Sequence, residues 1–264
     1  IREVDAIIHM IRCFDSDDIQ NVNQNVDPIR DLEIIETEMR LADLDSIEKR
    51  LDKKNKKNID ENLFKILEQA RDLINNDKNL TTLNDDYDKK YVNQCTLLST
   101  KPKLYICNVD EQSIEKGNKY TEKFIINYGE KDTLIISAEI ENQINQLENE
   151  IDKENYMKMI KMKETGLNNL IKKGYDLLSL ETFFTSGPEE SRAWTVTKNC
   201  TAPKAAGEIH TDFEKGFIRA ETVSYKDFVE NGGWVKSKES GKMRLEGKDY
   251  IVKDGDILNF RFNT

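Results

Sequence analysis

The sequence predicts an α/β protein in which a parallel sheet carries an inserted helical hairpin and is followed by a small mixed β domain. Short apolar runs that alternate with polar loops and helical patterns predict the parallel sheet. Two apolar stripes at three- and four-residue spacing, on either side of a polar break, predict the hairpin. After residue 182, short β-type runs between turn residues predict the β domain, and 264 residues suffice for two or three domains.

The first predicted strand is the run VDAIIHMIRCF at 4–14. It is rich in β-branched residues and shows no polar alternation, which is typical of a strand buried on both faces in a parallel sheet. His9 lies inside this run and is interpreted as a core histidine, because a buried imidazole needs a hydrogen-bond partner rather than a catalytic role.

A helix is predicted to begin at Asp27-Pro28, since Asp caps a helix and Pro suits its first position. A polar break, KKNKKN, separates it from a second helix, and 85–98 is predicted as a third helix that returns to the body. The apolar stripes of the first two helices are Leu32, Ile35, Met39, Leu44, Ile47 and Leu51, and then Leu63, Leu67, Ala70 and Ile74. Their spacing favours an antiparallel, coiled-coil-like pair.

The sheet resumes with a strand at 103–107, a helix at 119–128 and a strand at 133–136, the βαβ pattern of a parallel sheet. Helices are then expected from 140 to about 178, with breaks at Gly166 and Gly174. In the last part, one short helix is expected at 205–210, and Asp254-Gly255 is predicted as a turn between two strands. The predicted segments are 1–26 and 101–180 for the α/β body, 27–100 for the hairpin and 181–264 for the β domain.

Composition excludes several classes of protein. The net charge of −10 argues against non-specific nucleic-acid binding by the whole chain, although 202–264 carries eleven basic and eleven acidic residues and is neutral. No run of 18 apolar residues occurs, so we expect no membrane span, and the first residues do not form a secretory signal. Four dispersed cysteines and two histidines argue against a zinc site and favour reduced thiols in a cytoplasmic protein.

Polar residues follow the second and third predicted strands of the sheet. Asn108-Val-Asp-Glu111 follows one and Ser137-Ala138 follows the next. Ligands in open α/β sheets bind beyond the carboxyl ends of the strands, where an Asn side chain and loop backbone groups can contact a purine edge. Each segment alone is also compatible with an ordinary capped turn. Together they predict a purine-base site.

The C-terminal residues 200–264, and above all AAGEIHTDFEKGFIRAE at 205–221, resemble the TGS domain of the Obg-like ATPases, the YchF family. The resemblance extends upstream through VDAIIHMIRCFDSDDI, DPIRDLEIIETEMRLADLDSIEKR and TFFTSGPEESRAWTV, and so covers nearly the whole chain. It implies the C-terminal part of a P-loop NTPase sheet with an inserted helical hairpin, followed by a β-grasp TGS domain.

The resemblance also implies roles for the strand-end residues. P-loop GTPases place Asn-Lys-x-Asp at the first strand end, and here Val109 and Glu111 stand at the Lys and Asp positions. The Obg-like ATPases share that departure, which implies a preference for ATP over GTP. Asn108 and Val109 would contact the adenine, chiefly through the backbone at Val109, and Glu111 would shape the loop. Ser137 and Ala138 would supply groups near the same base.

No Gly-x-x-x-x-Gly-Lys-[Ser/Thr] run occurs in the chain. The resemblance implies that the phosphate loop, the Mg²⁺-binding Ser/Thr and the switch region precede Ile1. We therefore expect no catalytic residue in this chain, and no hydrolysis with only weak nucleotide binding by the chain alone, because phosphoryl transfer depends on positioning and charge neutralisation by those groups. ATP, or GTP, with Mg²⁺ is the expected cofactor set of the intact protein.

The resemblance further implies association with the ribosome by a monomeric protein. Arg219, Lys242, Arg244 and Lys248 are candidates for a basic face toward ribosome or RNA, and an ordinary solvated surface is the other interpretation of them. His210, close to Asp212 and Glu214, is interpreted as surface or turn structure. Two other functions stay open: a non-catalytic module that binds RNA or the ribosome, and a GTPase that tolerates Asn-x-x-Glu.

Overall fold

The chain divides into two compact units, Ile1–Leu177 and Leu178–Thr264, in a computed structural model that describes residues 2–16, 25–52 and 60–263. The predicted polar break KKNKKN and most of the loop after the first strand lie outside the described residues. Within those described, no helix combines the length and the apolar character that crossing a membrane requires. The finer four-segment division stays a prediction.

The first unit is built on a three-stranded parallel sheet in the order β1-β2-β3, so the predicted parallel sheet is confirmed. Its described strands and α-helices are, in chain order, β1 (Ile7–Arg12), α1 (Pro28–Leu51), α2 (Glu61–Asn75), α3 (Leu83–Asp86), α4 (Lys89–Cys95), β2 (Lys103–Asn108), α5 (Lys119–Tyr128), β3 (Thr133–Ile136), α6 (Ala138–Gln146), α7 (Glu150–Met159) and α8 (Gly166–Leu177).

β1 lies at the edge of this sheet and is covered on one face only. Ile11 is buried in a core that also contains Leu32 of α1 and Phe124 of α5. On the opposite face, Ile8 and Met10 are 51% and 61% exposed. The prediction of a strand buried on both faces is therefore wrong for β1, because no described element covers its second face.

His9 is buried, as predicted, and stacks on Tyr105 of β2 with a ring separation of 5.8 Å. Its Nε2 has no hydrogen-bond partner among the described residues. Burial lowers the pKa of His9 below its ordinary value, and the nearby Lys103 acts in the same direction. The imidazole is therefore held neutral as part of the packing.

The helical hairpin begins where the sequence predicts. Asp27 accepts a hydrogen bond from the backbone N–H of Arg30, and Pro28 occupies the first helical position. Arg40 of α1 pairs with Asp77, just beyond the end of α2, and Ile47, late in α1, packs with residues of α2. This is the arrangement of an antiparallel pair.

Three details of the helical predictions are wrong. Ile35 is 45% exposed, so the apolar stripe of α1 is not buried along its whole length. The expected third helix is broken into α3 and α4, because Tyr87 is extended and Asp88 caps a new helix with its side chain. Further along, Gly166 begins α8, whereas Gly174 lies inside that helix and does not break it.

A buried carboxylate joins α1 to the segment that leads into β2. The side chain of Asp43 is fully buried and accepts hydrogen bonds from the backbone N–H groups of Leu98 (2.9 Å) and Ser99 (2.8 Å). It also pairs with the guanidinium of Arg2 at 3.1 Å. A buried charge with three donors is satisfied, and it fixes the hairpin on the body of the unit.

The second unit is a five-stranded mixed sheet in the order β5-β4-β8-β6-β7, in which only β4 and β8 run parallel among the described strands. Its core is apolar, with Phe183 and Phe260 in edge-to-face contact. Its elements are β4 (Leu180–Ser186), β5 (Ser191–Thr197), α9 (Ala202–Ile209), α10 (Thr211–Lys215), β6 (Phe217–Ser224), α11 (Tyr225–Asn231), α12 (Trp234–Glu239), β7 (Arg244–Glu246) and β8 (Asp256–Phe262).

Three short helices of this unit, α10 to α12, were not predicted. Strands were predicted on both sides of Asp254-Gly255, but the described residues directly before that turn form no strand, and Ile251 makes an isolated bridge to Thr201. The turn itself is present, and the Asp254 side chain accepts from the backbone N–H of Thr182 at 2.8 Å, which ties the turn to β4 rather than to a hairpin partner.

Replacing Asp43 with Ala should lower the free energy of unfolding of the first unit by about 2–4 kcal/mol, because one buried and one partly buried N–H group and one guanidinium lose their partner. Urea unfolding followed by far-UV circular dichroism measures this, with exchange of the Leu98 and Ser99 amides as a local readout. Asp45→Ala is the matched control, since Asp45 forms an exposed pair with Lys49 on the same helix and should change stability by less than about 0.5 kcal/mol. Equal effects of the two substitutions would contradict the role of Asp43.

Candidate functional site

The loops after β1, β2 and β3 lie along one edge of the first sheet. Because the strands are parallel and adjacent, their carboxyl ends meet there. Asn108 is paired in register with Arg12 on one side and with Ile136 on the other. Beyond the last pairs, the N–H of Cys13 donates to the carbonyl of Asn108 at 2.8 Å, and the N–H of Val109 donates to the carbonyl of Ile136 at 2.9 Å. The predicted residues therefore share one edge.

Asn108 joins two of these loops directly. Its Oδ1 accepts a hydrogen bond from the backbone N–H of Ala138 at 3.0 Å, across 30 residues of sequence. The bond orients the side-chain amide, so that the two N–H donors of its NH₂ group point away from Ala138. The structure thus brings Asn108, Ser137 and Ala138 together.

Ser137 precedes α6 at the N-cap position, yet its side chain makes no capping hydrogen bond. Only 2% of the residue is exposed, and its Oγ has no partner among the described residues. A buried hydroxyl without a partner costs free energy, and this oxygen is closed to solvent in the structure. Ala138, the next residue, is exposed.

Val109 is mostly a core residue. It is 3% exposed and packs in the cluster that contains Ile11 and Cys13. Its N–H is already used by the Ile136 carbonyl. Of its backbone groups only the carbonyl remains for a ligand, so contact with a base through Val109 stays a prediction that only this carbonyl can fulfil.

Glu111 begins a 3₁₀ turn after β2, and its carboxylate is tied to α6. Its Oε1 accepts from Nε2 of Gln143 at 3.0 Å, and the carbonyl of that same amide accepts from the hydroxyl of Tyr156. Asp110 caps the 3₁₀ turn by accepting from the N–H of Ser113 at 2.9 Å. The carboxylate of Glu111 therefore connects this loop to α6, and its role in shaping a base site stays a prediction.

Sequence reasoning missed Asn118, which organises the same edge. Its side chain caps α5 in a capping box with Thr121, and its Nδ2 donates to the carbonyl of Cys13 at 2.7 Å and to Oγ of Ser113 at 3.3 Å. Asn118 thereby connects the loops after β1 and β2. The pattern Asn-x-x-Thr immediately before a helix is the signal that could have identified it.

The edge is mainly acidic. Five acidic residues, Asp15, Asp110, Glu111, Glu115 and Glu139, lie in its loops or at the start of α6, against three basic ones, Arg12, Lys116 and Lys119. Lys119 pairs with Asp15 at 3.4 Å. The hydroxyl of Tyr120 donates to Asp15 at 2.5 Å, and this bond lowers the pKa of the Asp15 carboxyl. Such surroundings suit a neutral base better than a triphosphate. Among the described residues, no group of three or more His, Cys, Asp or Glu is arranged to hold a metal ion.

The four candidate basic residues lie in the second unit, and two of them are neutralised. Lys242 pairs with Asp227 at 3.1 Å, and Arg244 pairs with Glu246 at 3.1 Å. Arg219 on β6 and Lys248 are exposed, and neither has an ion-pair partner in the part of the chain that the structure describes. These two side chains are therefore the better candidates of the four for contact with an anionic partner.

His210 is exposed and caps α10 by accepting from the N–H of Asp212 at 3.2 Å. Its position agrees with the interpretation as surface structure. The four cysteines are all buried and free.

The chain is similar to known proteins over its whole length. A family profile described as "YchF-GTPase_C: Protein of unknown function (DUF933)" matches residues 180–263. The chain is 43% identical over 275 residues to the ribosome-binding ATPase YchF of Bacillus subtilis (strain 168), a match that covers 100% of this chain and 75% of that protein. It is 40% identical over 278 residues to Obg-like ATPase 1 of Xenopus laevis, covering 100% of this chain and 70% of the relative.

Among solved structures, the Schizosaccharomyces pombe YchF GTPase superposes with a TM-score of 0.77 at 30% identity. The superposition covers 98% of this chain and 73% of that one. Both units of the present structure therefore have counterparts in that protein.

Replacing Asn108 with Ala should release the N–H of Ala138 and loosen the connection between the two strand-end loops. Hydrogen exchange at the Ala138 amide should accelerate about five- to tenfold, the equivalent of about 1 kcal/mol, because one hydrogen bond is lost and the backbone ladder remains. Asn127→Ala is the matched control: its amide bonds only to the carbonyl of Lys123 within α5. Unchanged exchange at Ala138 would contradict the bridging role of Asn108.

Proposed function

This chain belongs to the YchF family of Obg-like ATPases, and on that premise we propose that the loops after β2 and β3 hold the adenine base of ATP in the intact protein. The observation that carries the proposal is the hydrogen bond from Ala138 N–H to Asn108 Oδ1, beside the buried and unpartnered hydroxyl of Ser137. Two neighbouring loops are fixed against each other there, and donors of both are left for a ligand.

The polar groups that remain suit adenine. Because the N–H of Val109 is bonded to Ile136, the carbonyl of Val109 is left as an acceptor. Adenine offers an exocyclic amino group to such an acceptor, whereas guanine places a carbonyl oxygen there. The NH₂ of Asn108 can donate to a ring nitrogen, whereas the buried hydroxyl of Ser137 would reach the base only after a shift of the loop after β3.

The hydrogen bonding of the Glu111 carboxylate also favours adenine over guanine. Guanine recognition needs a carboxylate that accepts two N–H groups of the base. In this chain, Oε1 of Glu111 already accepts from Gln143, so the carboxylate is less available for a bidentate contact. This supports ATP as the preferred nucleotide and GTP as the weaker one.

We propose that the residues that carry out hydrolysis lie outside these 264 residues. The 264 residues contain no Gly-x-x-x-x-Gly-Lys-[Ser/Thr] run, and the acidic strand edge would repel a triphosphate. We place the phosphate loop and the Mg²⁺ ligand before Ile1, and the relatives are long enough to contain them, since the chain spans 75% of the Bacillus subtilis protein. Mg²⁺ would neutralise charge on the phosphates during transfer.

The second unit would contribute ribosome association. The Bacillus subtilis relative is named a ribosome-binding ATPase, and we extend that activity to this protein. The five-stranded sheet of the second unit would be a β-grasp TGS domain, with Arg219 and Lys248 as its contacts to RNA. Nucleotide state would then set the affinity for the ribosome in a cytoplasmic, monomeric protein.

A second candidate is a GTPase, because the Schizosaccharomyces pombe relative carries that name. A non-catalytic binding module is the third, and the content of the gene before Ile1 distinguishes it from the enzyme. A phosphate-loop run there favours the enzyme, and its absence favours the module.

The chain of 264 residues should show no ATP or GTP turnover above background, because the groups that neutralise the transferred phosphate are not in it. The protein expressed from the whole gene should hydrolyse ATP faster than GTP. Release of phosphate at saturating nucleotide, with and without Mg²⁺, measures both. Turnover by the 264 residues comparable to the whole protein would refute the proposed division of labour.

In the whole protein, Glu111→Asp should shift the ratio of ATP to GTP affinity toward GTP by about tenfold, equivalent to about 1.4 kcal/mol, because the shorter carboxylate loses Gln143 and becomes available to guanine. Equilibrium binding of the two nucleotides checks this. Glu115→Asp, an exposed change in the same loop, is the control. Val109→Lys is not a clean test, since Val109 is buried and a lysine there would disturb the core. An unchanged ratio would remove Glu111 from base discrimination.

A further inference from the structure

A groove with a volume of about 660 Å³, lined by both apolar and polar residues, lies within the second unit. One wall is the turn between β4 and β5, with Pro188, and the other is formed by α11 and α12, with Phe228, Val229 and Trp234. No charged side chain belongs to its described lining. Val229 is 57% exposed, so the groove is open to solvent along this wall.

The aromatic wall is held rigidly. The indole N–H of Trp234 donates to the carbonyl of Ser186 at 2.8 Å, which joins the two walls, and Phe228 packs edge-to-face on the Trp234 ring at 5.3 Å. Since its one polar atom is used, Trp234 presents apolar ring surface to the groove.

The connection between the helices leaves room for another backbone. Gly232 and Gly233 have φ angles of 72° and 118°, a region that favours glycine. An added Cβ at either position would meet no atom within 4 Å. A polypeptide can therefore approach the peptide groups of this connection closely.

The rim beside Pro188 is acidic. The turn is closed by a hydrogen bond from the N–H of Gly187 to the carbonyl of Glu190 at 2.9 Å, which fixes Glu189 and Glu190 next to the groove. Both carboxylates are exposed, and neither has an ion-pair partner among the residues that the structure describes. Lys236 and Lys238 belong to α12, in the other wall, and neither these lysines nor Glu189 and Glu190 are part of the lining itself.

We propose that this groove binds an extended, basic protein segment, with an apolar side chain packed between Pro188 and Trp234 and with lysines or arginines paired to Glu189 and Glu190. The charge of the rim is complementary to such a segment and repels the phosphates of RNA. The open glycine connection suits an extended backbone, and a Pro or Leu side chain suits an aromatic wall. This surface is separate from the proposed base site and does not depend on it.

The test uses the full chain labelled with ¹⁵N at its two tryptophan indoles. Trp234 reports on the groove, and Trp194, whose indole N–H donates to Thr185, is the internal reference. The probe is a peptide of three Lys-Pro-Leu repeats, titrated at low salt and at about 0.15 M salt. A Glu-Pro-Leu peptide, a Lys-Gly-Ser peptide and a uridine oligonucleotide are the comparison ligands.

The Lys-Pro-Leu peptide should shift the Trp234 signal and leave Trp194 in place, with weaker binding at the higher salt. Glu190→Lys should weaken binding about threefold or more at low salt, whereas Glu208→Lys, an exposed reversal on α9, should not. Val229→Ser should weaken binding at both salt concentrations, since Val229 supplies exposed apolar surface to the groove.

Several results would overturn the proposal. They are an unmoved Trp234 signal at millimolar Lys-Pro-Leu peptide, equal binding of the acidic or the Lys-Gly-Ser peptide, and equal effects of Glu190→Lys and Glu208→Lys. A Trp234 shift caused by the uridine oligonucleotide at lower concentration than by the peptide would assign the groove to RNA instead.

Discussion

The central position of β2 is the constraint on which the first unit depends. β2 pairs in parallel with β1 on one side and β3 on the other, so the three strands end at one edge and the loops that follow them begin there. The backbone bonds of Asn108 and Val109 continue this pairing past the last strand residues, and the Asn108 side chain adds the bond to Ala138. Chain segments far apart in sequence thereby acquire fixed mutual distances, which any recognition by these loops requires.

Much of this arrangement was accessible from the sequence, because strong local signals and tertiary packing agree. β2 and β3 appear at the predicted positions, and Asp27-Pro28 starts α1 as capping rules require. The shared edge of the two candidate loops followed from the βαβ pattern alone. The site residue that was missed, Asn118, has a local signal in its capping pattern with Thr121, but its long-range bond to Cys13 cannot be predicted from the spacing of residues in one sequence.

The predictions that differ from the structure also have physical explanations. The apolar composition of β1 indicates a strand, but composition does not say how many faces are covered, and Met10 is 61% exposed. The short helices α11 and α12 follow a strand and a glycine pair. Each has too few residues for a helical period to be recognised in the sequence. The sequence offered four candidates for a basic face and left an ordinary solvated surface as the other interpretation, and in the structure Asp227 and Glu246 pair with two of the four. Which cations stay available is decided by neighbours in space.

The uncovered side of β1 has a consequence for how the 264 residues behave in solution. Ile8 and Met10 expose apolar surface beside an edge whose backbone N–H and C=O groups face no neighbouring strand within the described residues. Such an edge is a template onto which a further strand can add, from the same polypeptide or from another molecule. This edge therefore favours association of the isolated chain with itself, and the net charge of −10 supplies electrostatic repulsion that opposes aggregation.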